Sequence, residues 1–400
     1  MSLPTLWGDC HVHSKWSDGL YDIASQSRHY GEFGCDFRFQ TDHLAVSVPA
    51  GKPAGKWLHA VDWEKYRDDC LGASTAAHMV VPGAELAWEV DDSRRAAEGW
   101  CDVKVYPCGG KAMPPERFFE GLSFAGALTK LKSAGCRVVL AHVDQGARLE
   151  KLSGAEIDGL EVRSDIEETR PLFGRASLAH WDRMLAAGHR VSLSSGSDAH
   201  QPDQWAGSGL RTVLGYTVFE SDAVLDAVAF GRSYLSGTWH PDCYGALGCP
   251  VHPNGIAGGT TRFTPWWDFP RVPSLKERRP VDVVEEIYGV ALAKGRCRRE
   301  EYPELSEFTV NGMASGGETA AGKAEVRVAW QAHLPVTTLR LVADARTVYE
   351  TPGKLPARGE AVFPVDLSGR RYVRLEIEAT DRAVASKRES LLANPVYLTR

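Results

Sequence analysis

No stretch of this 400-residue chain approaches ~18 unbroken apolar residues, so no membrane-spanning helix is expected. Met1 to Leu6 lack a basic region followed by an apolar run, and no targeting segment is read there. The nine cysteines include no Cys-x-x-Cys pair, which argues against a zinc finger or a thioredoxin-like redox pair. Scattered cysteines without a signal peptide fit a reducing cytoplasm, where most act as small core hydrophobes. Cys10 is set apart only by its place before His11. There is no positive surplus: the formal net charge of −6 gives no electrostatic reason to expect nucleic acid or an acidic membrane as partner. A Gly-x-Ser-x-Gly elbow is also missing, since Ser194 and Ser195 precede Gly196 rather than standing between glycines. Internal repeats, low-complexity tracts and nucleotide-binding signatures are absent as well.

What is present is an alternation. Seven short apolar runs read as strands: Thr5–Cys10, Cys35–Gln40, Met79–Pro82, Val103–Tyr106, Arg137–Ala141, Leu160–Arg163 and Arg190–Ser194. Amphipathic stretches near Asp22–Phe33, Asp62–Ala77, Pro115–Ala134 and Ser177–Ala187 fall between them, with Gly34, Gly135 and Gly188 placed as C-caps. A later helix near Asp222–Phe230 takes Ser221 as N-cap and Gly231 as stop. Such alternation predicts a parallel sheet with crossover helices over residues 1–240. Glu89–Gly99 reads as a charged excursion between two strands. Residues 241–304, rich in Pro, Gly and aromatics, read as a linker or lid, or as a loop pinned to the surface by Trp266 and Trp267. Period-two alternation then begins near Ser306. Glu325–Trp330, Thr338–Ala343, Ala361–Val365, Tyr372–Glu378 and Val396–Thr399 predict a small antiparallel sandwich over 305–400.

Five segments carrying metal-type ligands stand at or just after strand candidates. His11 and His13 are two apart on an extended segment, so both rings leave the same face and can share a metal. Asp18 follows in Ser17-Asp-Gly19, as a turn former or as a ligand to a second ion. His43 follows Asp42, which can hold its other ring nitrogen or move a proton. Glu85 comes after a Pro-Gly turn, as a surface carboxylate or as a bridge between two cations. His142 ends a buried strand, as a capping core histidine or as a ligand. Asp198 and His200 repeat the two-residue spacing of the first motif. Each alone has an ordinary structural explanation; five together in a chain with 13 histidines point to a metal site. Imidazoles mixed with carboxylates suit Mn, Fe or Zn better than Mg or Ca.

His11-Val-His13 with Ser17-Asp-Gly19, Thr41-Asp-His43, Pro82-Gly-Ala-Glu85, Ala141-His142 and Gly196-Ser-Asp-Ala-His200, in this order, resemble the polymerase and histidinol phosphatase (PHP) superfamily over residues 1 to about 240. The resemblance implies a distorted seven-stranded β/α barrel, TIM-like in plan. It also implies a cluster of two or three Mn, Fe or Zn ions, and hydrolysis, mostly of phosphate esters. Carried over by position, it makes His11, His13, Asp18, His43, Glu85, His142, Asp198 and His200 the ligands. Gly231-Arg-Ser-Tyr-Leu-Ser-Gly237, the β-rich tail and Asn394-Pro-Val-Tyr397 look like the branch containing carbaryl-type hydrolases. One departure stands out. Many members carry another His a dozen or more residues after the Glu, whereas no His lies here between His78 and His142. Two ions are therefore expected, with Asp102 as a substitute ligand.

Three functions remain open on sequence. One is a phosphoesterase acting on a small phosphorylated metabolite through a metal-activated water. In it Arg163, Lys15 or Arg211 binds phosphate, and Asp42 or a protonated histidine such as His200 assists the leaving group. The second keeps the metals and cleaves a carboxylester, carbamate or amide. The third is a non-catalytic barrel whose sandwich binds a partner. A small-molecule substrate is the expected partner, in the cytoplasm, with the sandwich free to dimerise the protein, cover the site or only pack.

Overall fold

A computed structural model of the chain describes residues 5–45, 58–87, 101–143, 157–163, 175–200, 210–214, 220–239, 299, 302–380 and 388–399. Glu89–Gly99 and the Trp-rich stretch lie outside the described residues. Each of the seven apolar runs carries a strand, and four further strands join them. In chain order they are β1 (Leu6–Val12), β2 (Phe37–Gln40), β3 (His43–Ala45), β4 (Met79–Pro82), β5 (Ala84–Ala87), β6 (Val103–Pro107), β7 (Cys136–Leu140), β8 (Gly159–Arg163), β9 (Ser192–Gly196), β10 (Leu210–Leu214) and β11 (Ser233–Trp239).

The expected closed seven-stranded barrel is not what these strands form among the described residues. They divide between two sheets, one running β11–β10–β1–β2–β4 and the other β3–β5–β6–β7–β8–β9. The sheets meet where Val12 bridges Ala199 in parallel, with the His13 amide donating to the Ala199 carbonyl at 2.9 Å. Nor are all the strands parallel. β1, β2 and β4 are parallel in one sheet, and β7, β8 and β9 in the other. β6 runs antiparallel to both β5 and β7. An apolar run such as Val103–Tyr106 reports that a strand is buried, not which way it runs. Direction comes from the connection, and an antiparallel pair needs no crossover helix.

The helices follow their caps. α1 (Ile23–Glu32) starts where Asp22 accepts from the Ser25 amide at 2.8 Å, and the chain leaves it through Gly34 at φ +75°. α2 (Trp63–Gly72), α3 (Phe124–Ser133) and α4 (Arg175–Ala186) occupy the other amphipathic stretches. α5 (Ser221–Ala229) begins one residue earlier than read. Its N-cap is Glu220, and no side chain caps it, so Ser221 is inside the helix. Buried faces of α2, α3 and α4 pack Trp63, Tyr66, Leu128, Leu131 and Trp181 against Val103, Val105, Val138 and Leu160 of the strands.

The remaining strands are β12 (Glu304–Val310), β13 (Met313–Ala314), β14 (Glu318–Ala320), β15 (Lys323–Gln331), β16 (Val336–Ala343), β17 (Arg346–Glu350), β18 (Arg358–Asp366), β19 (Tyr372–Thr380), β20 (Arg388–Ala393) and β21 (Val396–Thr399). β15 shows the period-two pattern plainly: Ala324, Val326, Val328 and Trp330 point inward between exposed neighbours. A sheet β13–β12–β15–β18 faces β16 and β19 across a core containing Val326, Val328, Leu339, Leu341, Val373 and Leu375. Most ladders here are antiparallel, but β14 pairs with β21 in parallel. β20 pairs with β11, so one sheet runs from the first strands of the chain into the last.

Two buried polar contacts secure this junction. Arg374 of β19 forks onto both oxygens of Asp182 in α4, at 2.8 and 2.6 Å, and Tyr372 donates to the same carboxylate at 2.7 Å. Asn394 accepts from the Leu193 amide of β9 at 2.7 Å. Its amide nitrogen lies 3.0 Å from the Leu193 carbonyl and 2.8 Å from the Ser233 hydroxyl. Among the described residues, no helix is long and apolar enough to cross a membrane.

Candidate metal centre

All five motif segments reach one place, some from the ends of their strands and some from the starts. His11 lies near the C-terminal end of β1, and His13 just beyond it. His43 opens β3 and pairs in register with Glu85 of β5. His142 follows β7, and Asp198 and His200 follow β9. His142 and Asp198 hold left-handed backbone, at φ 31° and 53°, a strain that non-glycine residues adopt at turns and functional sites.

The eight side chains form two groups of four. An inner group holds His11, Glu85, His142 and Asp198; an outer one holds His13, Asp18, His43 and His200. Glu85 is fully buried and stands between them. One of its oxygens is 2.8 Å from His142 Nε2. The other is 3.3 Å from His11 Nε2, 3.4 Å from His13 Nε2 and 3.1 Å from His43 Nδ1. Asp198 Oδ1 lies 3.0 Å from His13 Nε2 and 3.4 Å from His11 Nε2. In the outer group, Asp18 Oδ2 is 3.2 Å from His200 Nε2 and 3.7 Å from His43 Nε2.

This donor set fits divalent cations. Despite four imidazole nitrogens nearby, neither Glu85 oxygen has a hydrogen bond of acceptable geometry, although both are buried. The Nε2 atoms of His11 and His13 face each other at 3.0 Å. Acceptors crowded this closely need protons or cations between them. Without a cation the imidazoles take up the protons. Burial opposes the charge on His43, but Glu85 outweighs it and lifts that imidazole to about 9. Burial likewise opposes the charged forms of His11, His142 and His200, and the carboxylates beside them raise all three. Burial would raise Glu85, yet His11, His142 and His43 hold it well below the usual carboxylate range.

The other candidates fare differently. Asp42 accepts from the Ser14 amide at 2.7 Å, from the Ser14 and Ser17 hydroxyls at 2.8 and 2.7 Å, and from Gln40 at 2.9 Å. Its carboxylate braces the turn that carries Asp18. Lys15 is exposed. Arg163 ends β8 opposite Gly196, and Arg211 lies in β10; their side chains lie outside the described ones. Asp102 belongs to neither group of four. Burial pushes the Cys10 thiol up to about 12, which leaves no thiolate nucleophile there.

Two charged residues not singled out in the sequence are buried beside the site: Glu161 in β8 faces His11 Nδ1, and Lys104 in β6 is ion-paired with Glu161. A signal for them exists. Each is a lone charge between branched apolar neighbours, in Val103-Lys-Val105 and Leu160-Glu-Val162, so it faces opposite to them across its strand.

No family model and no curated relative matches the chain. Among solved structures, it is similar over 100% of its length to 96% of a two-domain protein containing a predicted PHP-like metal-dependent phosphoesterase from Bacteroides vulgatus, at 12% identity and a TM-score of 0.42. Half of the chain, 50%, overlays 90% of a candidate metal-dependent phosphoesterase from Bifidobacterium adolescentis, at 14% identity and a TM-score of 0.33. A further 48% overlay covers 87% of an amidohydrolase from Chromobacterium violaceum with bound sulfate and no metal, at 16% identity and a TM-score of 0.30. Likeness this distant carries no argument about activity.

Proposed function

We propose that the protein is a metal-dependent hydrolase, and most specifically a phosphoesterase acting on a small phosphorylated metabolite. One observation carries the reading: eight ligand-type side chains from five segments converge in two groups, joined by a buried Glu85 whose oxygens lie 2.8 to 3.4 Å from four imidazole nitrogens. His11, Glu85, His142 and Asp198 would hold one cation, and His13, Asp18, His43 and His200 a second. Bound cations supply a water of lowered pKa and stabilise charge on phosphoryl oxygens. The chain's own part is positional. Asp42 fixes the turn before Asp18, and the junction of β1 with β9 fixes His13 relative to His200. Half-exposed Asp18 leaves the outer group open to solvent, whereas His11 and Glu85 are sealed. Substrate therefore enters from the outer side. The placement in the carbaryl-hydrolase-like branch, with 305–400 as a β-sandwich domain, belongs to the same proposal.

The test is metal content by inductively coupled plasma mass spectrometry, followed by a panel of aryl phosphates and aryl esters. Two equivalents of Mn, Fe or Zn, lost in a His11→Ala/Asp198→Ala variant, together with phosphate-ester cleavage, are expected. Ester cleavage without any phosphatase activity would replace the phosphoesterase by the carboxylester reading. Protein that takes up no added metal would end both.

A further inference from the structure

The buried pair Lys104 and Glu161 has no role in the ligand set, yet it touches the innermost ligand. Lys104 Nζ donates to the Cys10 carbonyl at 2.8 Å and is ion-paired with Glu161 Oε2. The two Glu161 oxygens lie 3.1 and 3.0 Å from His11 Nδ1. The opposite nitrogen of that ring, Nε2, is the one that faces Glu85, Asp198 and His13. Both members of the pair are fully buried, on β6 and β8, with β7 between them. The neighbouring strand makes room for the contact. A Cβ at Gly196 would lie 2.3 Å from His11 Cβ and 3.0 Å from Glu161 Oε2.

An imidazole that binds a cation through Nε2 carries its proton on Nδ1, and a carboxylate facing Nδ1 fixes both that tautomer and the plane of the ring. A bare carboxylate so close to the site would also compete for the cation. The ammonium of Lys104 answers this, because it engages the same Glu161 carboxylate, neutralises its charge and anchors to the β1 backbone one residue before His11. We propose that Glu161, held by Lys104, is a positioning residue of the inner group. It accepts the Nδ1 proton of His11, aims Nε2 at the cation, and stays outside the coordination shell. This rests on the cation-binding reading above.

The full chain is stripped of metal and titrated with Mn²⁺ against a chelator, with bound metal counted. Wild type is compared with Lys104→Met/Glu161→Gln, which keeps an acceptor for Nδ1, and with Lys104→Met/Glu161→Leu, which does not. The Gln variant is expected to keep wild-type affinity within a few-fold. The Leu variant is expected to lose roughly 10- to 100-fold at one of two sites and to leave the other unchanged. Wild-type affinity at both sites in a folded Leu variant would overturn the proposal. Wild type that binds no Mn²⁺ would overturn the cation reading itself, which is a different result. A second measurement does not depend on the Lys104 and Glu161 variants folding: the tautomer of His11 in Zn²⁺-loaded wild type, from two-bond ¹H–¹⁵N correlations, assigned by its loss in His11→Gln. A protonated Nδ1 supports the proposal, and an unprotonated Nδ1 overturns it.

Discussion

The strands before residue 240 and those after 300 bury polar groups for different ends. In the first region Asp9, His11, His13, Asp42, Glu85, Lys104 and Glu161 all lie in the interior, where charges cost free energy unless paired or bound to a cation. In the second, the buried polar residues among those described are Arg374, Glu389, Ser390 and Asn394. Of these, Arg374 and Asn394 reach back to α4 and β9. The first region spends its buried polarity on a site. The second keeps an alternating apolar core and uses two of its few buried polar side chains to hold the first in place.

The largest effect should come from the junction. Arg374→Ala leaves the Asp182 carboxylate without its cation and with the Tyr372 hydroxyl alone of the two partners described, and urea unfolding is expected to show a loss of about 3–5 kcal/mol. The double change Asp182→Leu/Arg374→Met should recover most of it. A single variant as stable as wild type would mean that the two regions do not depend on this contact.

Gly196→Ala tests the first region instead. Its new methyl meets His11 where the backbone of β9 passes. Overpacking costs about 1–3 kcal/mol, and added Mn²⁺ is expected to raise the thermal midpoint of wild type but not of the variant. Equal metal-induced shifts would show that the His11 position is not tight.

Asn394→Ala removes the buried partner of the Leu193 amide and carbonyl, at a cost of about 1–3 kcal/mol in the same unfolding assay. Its effect should extend to metal affinity, because β9 leads into Asp198 and His200. Undiminished metal affinity in a destabilised variant would confine the role of Asn394 to packing.

The smallest effect concerns pH. Burial first, then nearby Arg38, lowers His78 from the usual 6.5 to about 3. Folded His78 is therefore neutral, while the unfolded chain takes up a proton below 6.5. Its contribution is present above 6.5 and is lost as pH falls toward 3. His78→Gln should lose less stability than wild type between pH 7 and 5; equal losses would exclude His78 as the cause.

Much of this was legible in the sequence. The eight residues of the two groups were visible because ligand chemistry needs His and carboxylates at strand ends, two apart where they share a face. Alternation marked β15 because one of its faces is buried and the other is not; in β19 the polar Arg374 kept the alternation visible although it too is buried. Strand direction was not legible, since Val103-Lys-Val-Tyr106 reads the same in either sense. The antiparallel β6 had to be seen, as did the two sheets that stand in place of a closed barrel among the described residues. The partners of Asp42 were not legible either, since its neighbour in sequence is His43 and only the fold brings Ser14 and Ser17 to its carboxylate. Glu161 was not legible as a partner of His11, because only the fold brings β8 against the end of β1.

The contact of Asn394 with Leu193 also has a meaning for how the protein is made. A nascent chain that has emerged as far as His200 already contains all eight candidate ligands. The backbone groups of Leu193 in β9 gain this buried side-chain partner only once synthesis has passed residue 394. The site is thus encoded early and finished late, and a chain stalled between the two would carry the ligands without the support that steadies the strand leading to them.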